Sequence, residues 1–270
     1  MTRQRMTLPR LQRLADDLSV RDLDIVATLA RVRVASFRQL ERLHFAGHPA
    51  DSAARLCRRT LARLVECQVL VRLDRRIGGV RAGSAGFVYS LDTGGQRLAG
   101  AHGPAGGRRP RRPWTPSVRF LTHTLDVTEL YVQLREVERQ KDIELLAFEG
   151  EPASWRRFSG PAGGPALLKP DAYVMLGLGD YEHHYFIEVD RATESPAAVG
   201  RQLTAYRQYW ATGLEQKRTG VFPLVVVGVP HDRRKEDVLD VAGRQPAEAW
   251  RLFRVVLAEQ LVRALTEEGS

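Results

Sequence analysis

The chain has 270 residues, 43% of them hydrophobic, enough for one large core or two ordinary ones. No stretch approaches the roughly 20 consecutive apolar residues of a membrane span, and the N-terminal MTRQRMTLPRLQRLADDLSV has charge but no apolar run of signal-peptide length. Its two cysteines, Cys57 and Cys67, give neither a disulfide framework nor a zinc spacing. These features exclude a membrane protein and a disulfide-stapled secreted one, and a cytoplasmic location is expected.

The net charge of +9 is unevenly spread. Residues 1–113 hold 22 Lys and Arg against 9 Asp and Glu, whereas residues 114–270 hold 19 against 23. Clustered cations gain by releasing counterions from phosphates, so the front half reads as a polyanion-binding module joined to a part with another task. The Gly/Pro stretch GAHGPAGGRRPRRP, with its four arginines, marks a boundary. It divides the chain into residues 1–99, a basic linker 100–113, and residues 114–270. No internal repeat is present, and neither GGVRAG nor GPAGG opens a helix after a strand, so no nucleotide cofactor is expected.

In chain order, RDLDIVATLARV (21–32) has a helical apolar period. Ser36 reads as the N-cap of FRQLERLHF, and Asp51 or Ser52 as that of SAARLCRRTLARLVECQ. VLVRLDRR, the Gly-rich GGVRAGSAG and FVYSLD then read as strand, tip and strand. Three helices closed by a basic hairpin is the order of a winged helix-turn-helix. On the third helix, Leu56, Cys57, Leu61 and Leu64 share one side, while Arg55, Arg58, Arg59 and Arg63 lie around the other with no carboxylate among them between 52 and 65. Intrahelical ion pairs therefore cannot explain these arginines. With Arg72, Arg75, Arg76 and Arg81 of the hairpin, they predict a double-stranded DNA interface: helix arginines at the major groove, wing arginines on the backbone or minor groove.

After the linker, residues 118–140 predict a long helix, 143–150 a strand, 151–168 an irregular segment, and 169–195 a hairpin. Pro196 suits the first turn of a helix running to about residue 212, and VFPLVVVGV (221–229) suits a buried parallel strand. Residues 231–270 leave two choices open for AWRLFRVVLAEQLVRAL: a strand then a helix, or one helix.

A two-residue turn at Gly179-Asp180 makes Leu178 face Tyr181, and outward counting puts Asp171 opposite Glu188. Glu188 and Asp190 share a face, so three carboxylates are expected to converge, and such a set suits Mg²⁺ or Mn²⁺. The alternative is a solvated, charged strand at a sheet edge. His183 and His184 point to opposite faces with no third histidine at a useful spacing, and are expected at the hairpin surface. Tyr206 and Tyr209, on an amphipathic helix, are expected in packing rather than as nucleophiles.

Pro170-Asp171, Glu188-Val189-Asp190, and Gln202 with Tyr206 resemble the PD-(D/E)XK nuclease pattern with its RecB-like QxxxY helix. With the basic front half, and phrases such as LKPDAYV, FIEVDRATES and QLTAYRQYW, the chain resembles the replication-relaxation proteins of actinobacterial plasmids and integrative elements. Those are similar to MobC-type relaxases. The resemblance implies an α+β fold, a winged helix-turn-helix followed by an α/β nuclease-like domain of helix, three strands, helix and strand. It further implies that Asp171 and Glu188 hold the metal, that Gln202 and Tyr206 support the site or contact DNA, and that Glu129 or Asp126, with His123 nearby, adds to it. Asp190 stands where the superfamily has lysine, and a carboxylate cannot stabilise developing negative charge. Lys169 is a candidate replacement; Arg191 points to the other face. Two functions follow: a metal-dependent enzyme that nicks origin DNA in plasmid replication or transfer, or a non-enzymatic DNA-binding initiator, accessory or regulatory factor with a retired nuclease-like domain. Single-stranded DNA at an origin is a further partner, and a homodimer is compatible with a winged helix.

Overall fold

The computed structural model describes residues 5–73, 86–102, 116–161 and 163–267. They form a mixed α and β chain in two compact units, Met1–Val132 and Gln133–Ser270. Among them no helix is long and apolar enough to cross a membrane.

The first unit begins with α1 (Leu8–Asp17), α2 (Val20–Val32), β1 (Val34–Ser36), α3 (Phe37–His44) and α4 (Ala50–Glu66). Two capping boxes fix the starts of α2 and α3: Ser19 with Asp22, and Ser36 with Gln39. α4 starts at Ala50, earlier than the expected cap, and Ser52 instead donates its hydroxyl to the Pro49 carbonyl at 2.9 Å. β2 (Leu70–Arg72) and β3 (Val88–Leu91) follow, and the sheet order is β1-β3-β2, antiparallel throughout. Ile25, Leu29, Leu40, Cys57, Leu61 and Leu64 make the core beneath it. Cys57 behaves as a small hydrophobe there, burial pushing its thiol pKa up to about 12.

α5 (Thr93–His102) extends into the start of the expected linker, whose remainder from 103 to 113 lies outside the described residues. TGGQRLAGAH carries little helical signal, because its glycines are poor helix formers. They serve close approach instead: a Cβ at Gly94 would stand 2.7 Å from the Gln68 carbonyl oxygen, and one at Gly95 would collide with that of Val69. The division between the units falls within α6 (Val118–Glu138), so much of the helix expected to open the second domain belongs with the first unit.

The second unit is a five-stranded sheet in the order β10-β9-β8-β7-β4. β4 (Ile143–Gly150), β7 (Ala172–Leu178) and β8 (Tyr181–Val189) are antiparallel neighbours. After β8, α7 (Pro196–Ala211) and α8 (Leu214–Thr219) lead to β9 (Leu224–Val229), which runs parallel to β8 as its apolar sequence requires. α9 (Asp232–Gly243), α10 (Ala247–Trp250), β10 (Phe253–Leu257) and α11 (Leu261–Thr266) complete the unit. The C-terminal stretch is thus a strand followed by a helix, with β10 parallel to β9. The segment expected to be irregular contains a two-stranded hairpin, β5 (Arg156–Ser159) with β6 (Pro165–Leu168).

Candidate functional site

Leu178 pairs with Tyr181 across the β7–β8 turn, whose Gly179 takes φ +53°, a left-handed value that favours glycine. The register continues to Ala172 opposite Ile187, and one further step sets Asp171 beside Glu188. The Asp171 N–H donates to the Ile187 carbonyl at 3.1 Å, and its Oδ2 accepts the Val189 N–H at 2.7 Å. Both carboxyl groups are buried, Asp171 8% and Glu188 6% exposed. Gln202 and Tyr206, one turn apart on α7, both reach Glu188; the Tyr206 hydroxyl donates to Oε1 at 2.5 Å. Burial above all, and next the charge of Asp171, hold the Glu188 pKa well above the usual carboxylate value, against the lowering effect of these two hydrogen bonds. Burial, reinforced by Glu188, also raises the Tyr206 pKa.

Asp190 does not join this pair. Its carboxylate makes a two-pronged contact with Arg234 of α9, Oδ2 to Nη2 at 2.6 Å and Oδ1 to Nε at 3.0 Å. The Ala192 N–H adds a bond to Oδ1 at 2.5 Å. Strand alternation sets the face on which Asp190 emerges, but an arginine 44 residues away neutralises it. The expected convergence of three carboxylates on one ion is therefore corrected: among the described residues, no group of three or more His, Cys, Asp or Glu side chains could hold a metal. Of the expected three, Asp171 and Glu188 remain to offer the hard oxygen donors that Mg²⁺ or Mn²⁺ requires. Such an ion is often bound by one or two carboxylates plus waters and substrate phosphates, so the pair fits a sparse site only. Bound there, the ion would supply charge stabilisation at a phosphate and a more acidic water.

Several of the other expected contributors have partners elsewhere. Glu129 lies in the first unit, where it binds Arg42 at 2.6 Å and Gln39 at 3.1 Å, and His123 and Asp126 belong to that unit too. Lys169, the candidate for the missing cation, places its ammonium 5.0 Å over the Trp155 ring. His184 is not a surface residue: its side chain is 6% exposed and its Nδ1 lies 2.7 Å from the Tyr173 hydroxyl. His183 stacks on Tyr185. The Tyr209 hydroxyl donates to Glu215 Oε2 at 2.5 Å, a structural bond rather than that of a nucleophile. Glu215 itself, fully buried, also receives Arg156 and Arg218; the Glu215–Arg218 pair has the i,i+3 spacing of one helix, whereas Arg156 and Tyr209 come from β5 and α7 and no spacing announces them.

On α4, the buried side is Ala53, Cys57, Leu61 and Leu64, and Arg55, Arg58, Arg59 and Arg63 are exposed. They are not equivalent. Arg63 grips Asp22, which is 1% exposed, with one nitrogen 2.6 and 2.7 Å from its two oxygens. Burial would raise the Asp22 pKa, but hydrogen bonds from Arg63 and Ser19 outweigh it and leave the pKa lowered. Arg58 lies 5.8 Å over Phe37, and Arg72 lies 4.3 Å over Phe87. Arg55 and Arg59 have no acidic partner among the described residues. Arg75, Arg76 and Arg81 fall outside the described residues.

No curated protein and no solved structure matches the chain. A family model described as replication-relaxation matches residues 26–225, which take in α4, the β7–β8 hairpin and the Gln202–Tyr206 helix. With most of its length so matched, the chain belongs to the replication-relaxation family.

Proposed function

We propose that this chain is a DNA-binding factor of plasmid replication or conjugative transfer, that α4 presents Arg55 and Arg59 to duplex DNA, and that the second unit is a nuclease-like domain that does not cleave. The observation that carries the DNA reading is two exposed guanidinium groups without acidic partners, on a helix whose opposite side is core. The order α2, β1, α3, α4, β2, β3, with β3 between β1 and β2, supports a winged helix-turn-helix. The order α6, β4, β7, β8, α7, β9, with the β5–β6 hairpin and the short α8 as insertions, supports a PD-(D/E)XK-like core. The Asp190–Arg234 pair favours the non-cleaving form, because the position that should furnish a free cation holds a neutralised carboxylate.

A second reading, metal-dependent nicking of origin DNA, is favoured by one observation: Asp171, Glu188, Gln202 and Tyr206 meet at one buried point. Supercoiled plasmid carrying the element's origin, incubated with Mg²⁺ or Mn²⁺, separates the two. Unchanged topology with intact binding is expected; metal-dependent relaxation lost in Asp171→Ala and Glu188→Ala would establish nicking instead. Charge reversal at Arg55→Glu and Arg59→Glu should weaken duplex binding and flatten its salt dependence, and undiminished binding would remove α4 from the interface.

A further inference from the structure

Away from the acidic pair, α7 and α9 leave an open groove of about 930 Å³ on the second unit. Arg201, Thr204 and Gln208 line it from α7, and Arg244 and Gln245 from the end of α9. The two helices meet closely at its floor, where a Cβ on Gly200 would lie 3.5 Å from Val241 Cγ1. No carboxylate and no aromatic ring belongs to the lining. The acids of α9, Asp232, Glu236, Asp237 and Asp240, all lie outside it.

Arg201 and Arg244 are exposed, and neither has an acidic partner among the described residues. This contrasts with Arg156, Arg218 and Arg234 of the same unit, each bound to a carboxylate. α7 carries Arg201 and Arg207 and no acid at all. Its first turn, Pro196 and Ala197 behind the N-cap Ser195, borders the same groove, but Pro196 has no N–H and Ser195 caps that of Ala198, so the recognition falls to the side chains. Two unpaired guanidinium groups and two amide side chains set donors and positive charge around a floor of Gly200 and Val241, inside a unit that is acidic by sequence. Such a surface recognises oxyanions. Its length along two helices suits a chain of them, and its lack of rings leaves nothing on which bases would stack.

We infer that the α7–α9 groove binds the phosphodiester backbone of DNA without reading sequence, as a second contact in addition to that of α4. The inference rests on the DNA-binding reading above and adds a site in the other unit. The test uses the full chain with labelled duplex and single-stranded DNA of scrambled sequence, by fluorescence anisotropy between roughly 50 and 200 mM salt. Arg201→Gln with Arg244→Gln removes two phosphate contacts. The slope of log affinity against log salt should therefore fall by about 1.8 on duplex or about 1.4 on single strands. Arg201→Lys with Arg244→Lys should keep the slope, and thermal melts should match the wild type for both. An unchanged slope on both DNAs in the glutamine variant overturns the groove while leaving α4 standing. A slope lost there but intact in Arg55→Glu/Arg59→Glu supports the groove and overturns α4.

Discussion

Replacing Asp190 by alanine separates a structural carboxylate from a metal ligand by the sign of the stability change. The Asp190 and Arg234 side chains are 10% and 6% exposed, so the pair is largely out of water. Removing one partner of a buried pair leaves the other charged and poorly solvated, at about 3 to 5 kcal/mol. Asp237 and Glu194 also act on Arg234, which places the expected loss near the lower end, about 3 kcal/mol. At roughly 2 to 4 °C per kcal/mol for a unit of this size, the Tm should fall by about 6 to 12 °C. Taking out both charges, as Asp190→Leu with Arg234→Met, should restore most of it, because no unpaired ion remains. A ligand in a metal-free carboxylate cluster behaves oppositely: its removal relieves repulsion and raises the Tm. Calorimetry at neutral pH, with and without Mg²⁺, reads both effects. A melting temperature for Asp190→Ala at or above the wild type would refute the structural assignment.

Glu188→Gln should alter how stability depends on pH. The folded Glu188 pKa lies well above its ordinary 4.5, so the folded state binds the extra proton and stability falls as pH rises from that value through the raised one. Glutamine is neutral and keeps an acceptor for Tyr206, so the variant should gain on the wild type with rising pH; parallel curves would mean that Glu188 is not held protonated. Arg63→Gln should destabilise the first unit by about 2 kcal/mol, because it strips the main partner from buried Asp22. Arg55→Gln should leave the melt unchanged, and equal effects in the two variants would undo the distinction between a structural arginine and a DNA-facing one.

Much of the architecture was legible because it is set by neighbours in sequence. A glycine turn of two residues fixes the β7–β8 register, and with it the meeting of Asp171 and Glu188. The spacing of Cys57, Leu61 and Leu64 fixes which side of α4 is buried, and the unbroken apolar run of β9 marks a strand covered on both faces. The tertiary structure alone decided what those elements meet. Asp190 points where alternation sends it, yet its role depends on Arg234, 44 residues on; Arg63 lies on the polar side of α4, yet Asp22, 41 residues back, holds it. α5 exists because two glycines let it touch the backbone at Gln68 and Val69, a contact their local sequence does not announce. Period and turn chemistry act within a few residues and so can be read from the chain. The partner that neutralises a buried charge is chosen by packing, and for Asp190 that choice turned an expected metal ligand into one half of an ion pair.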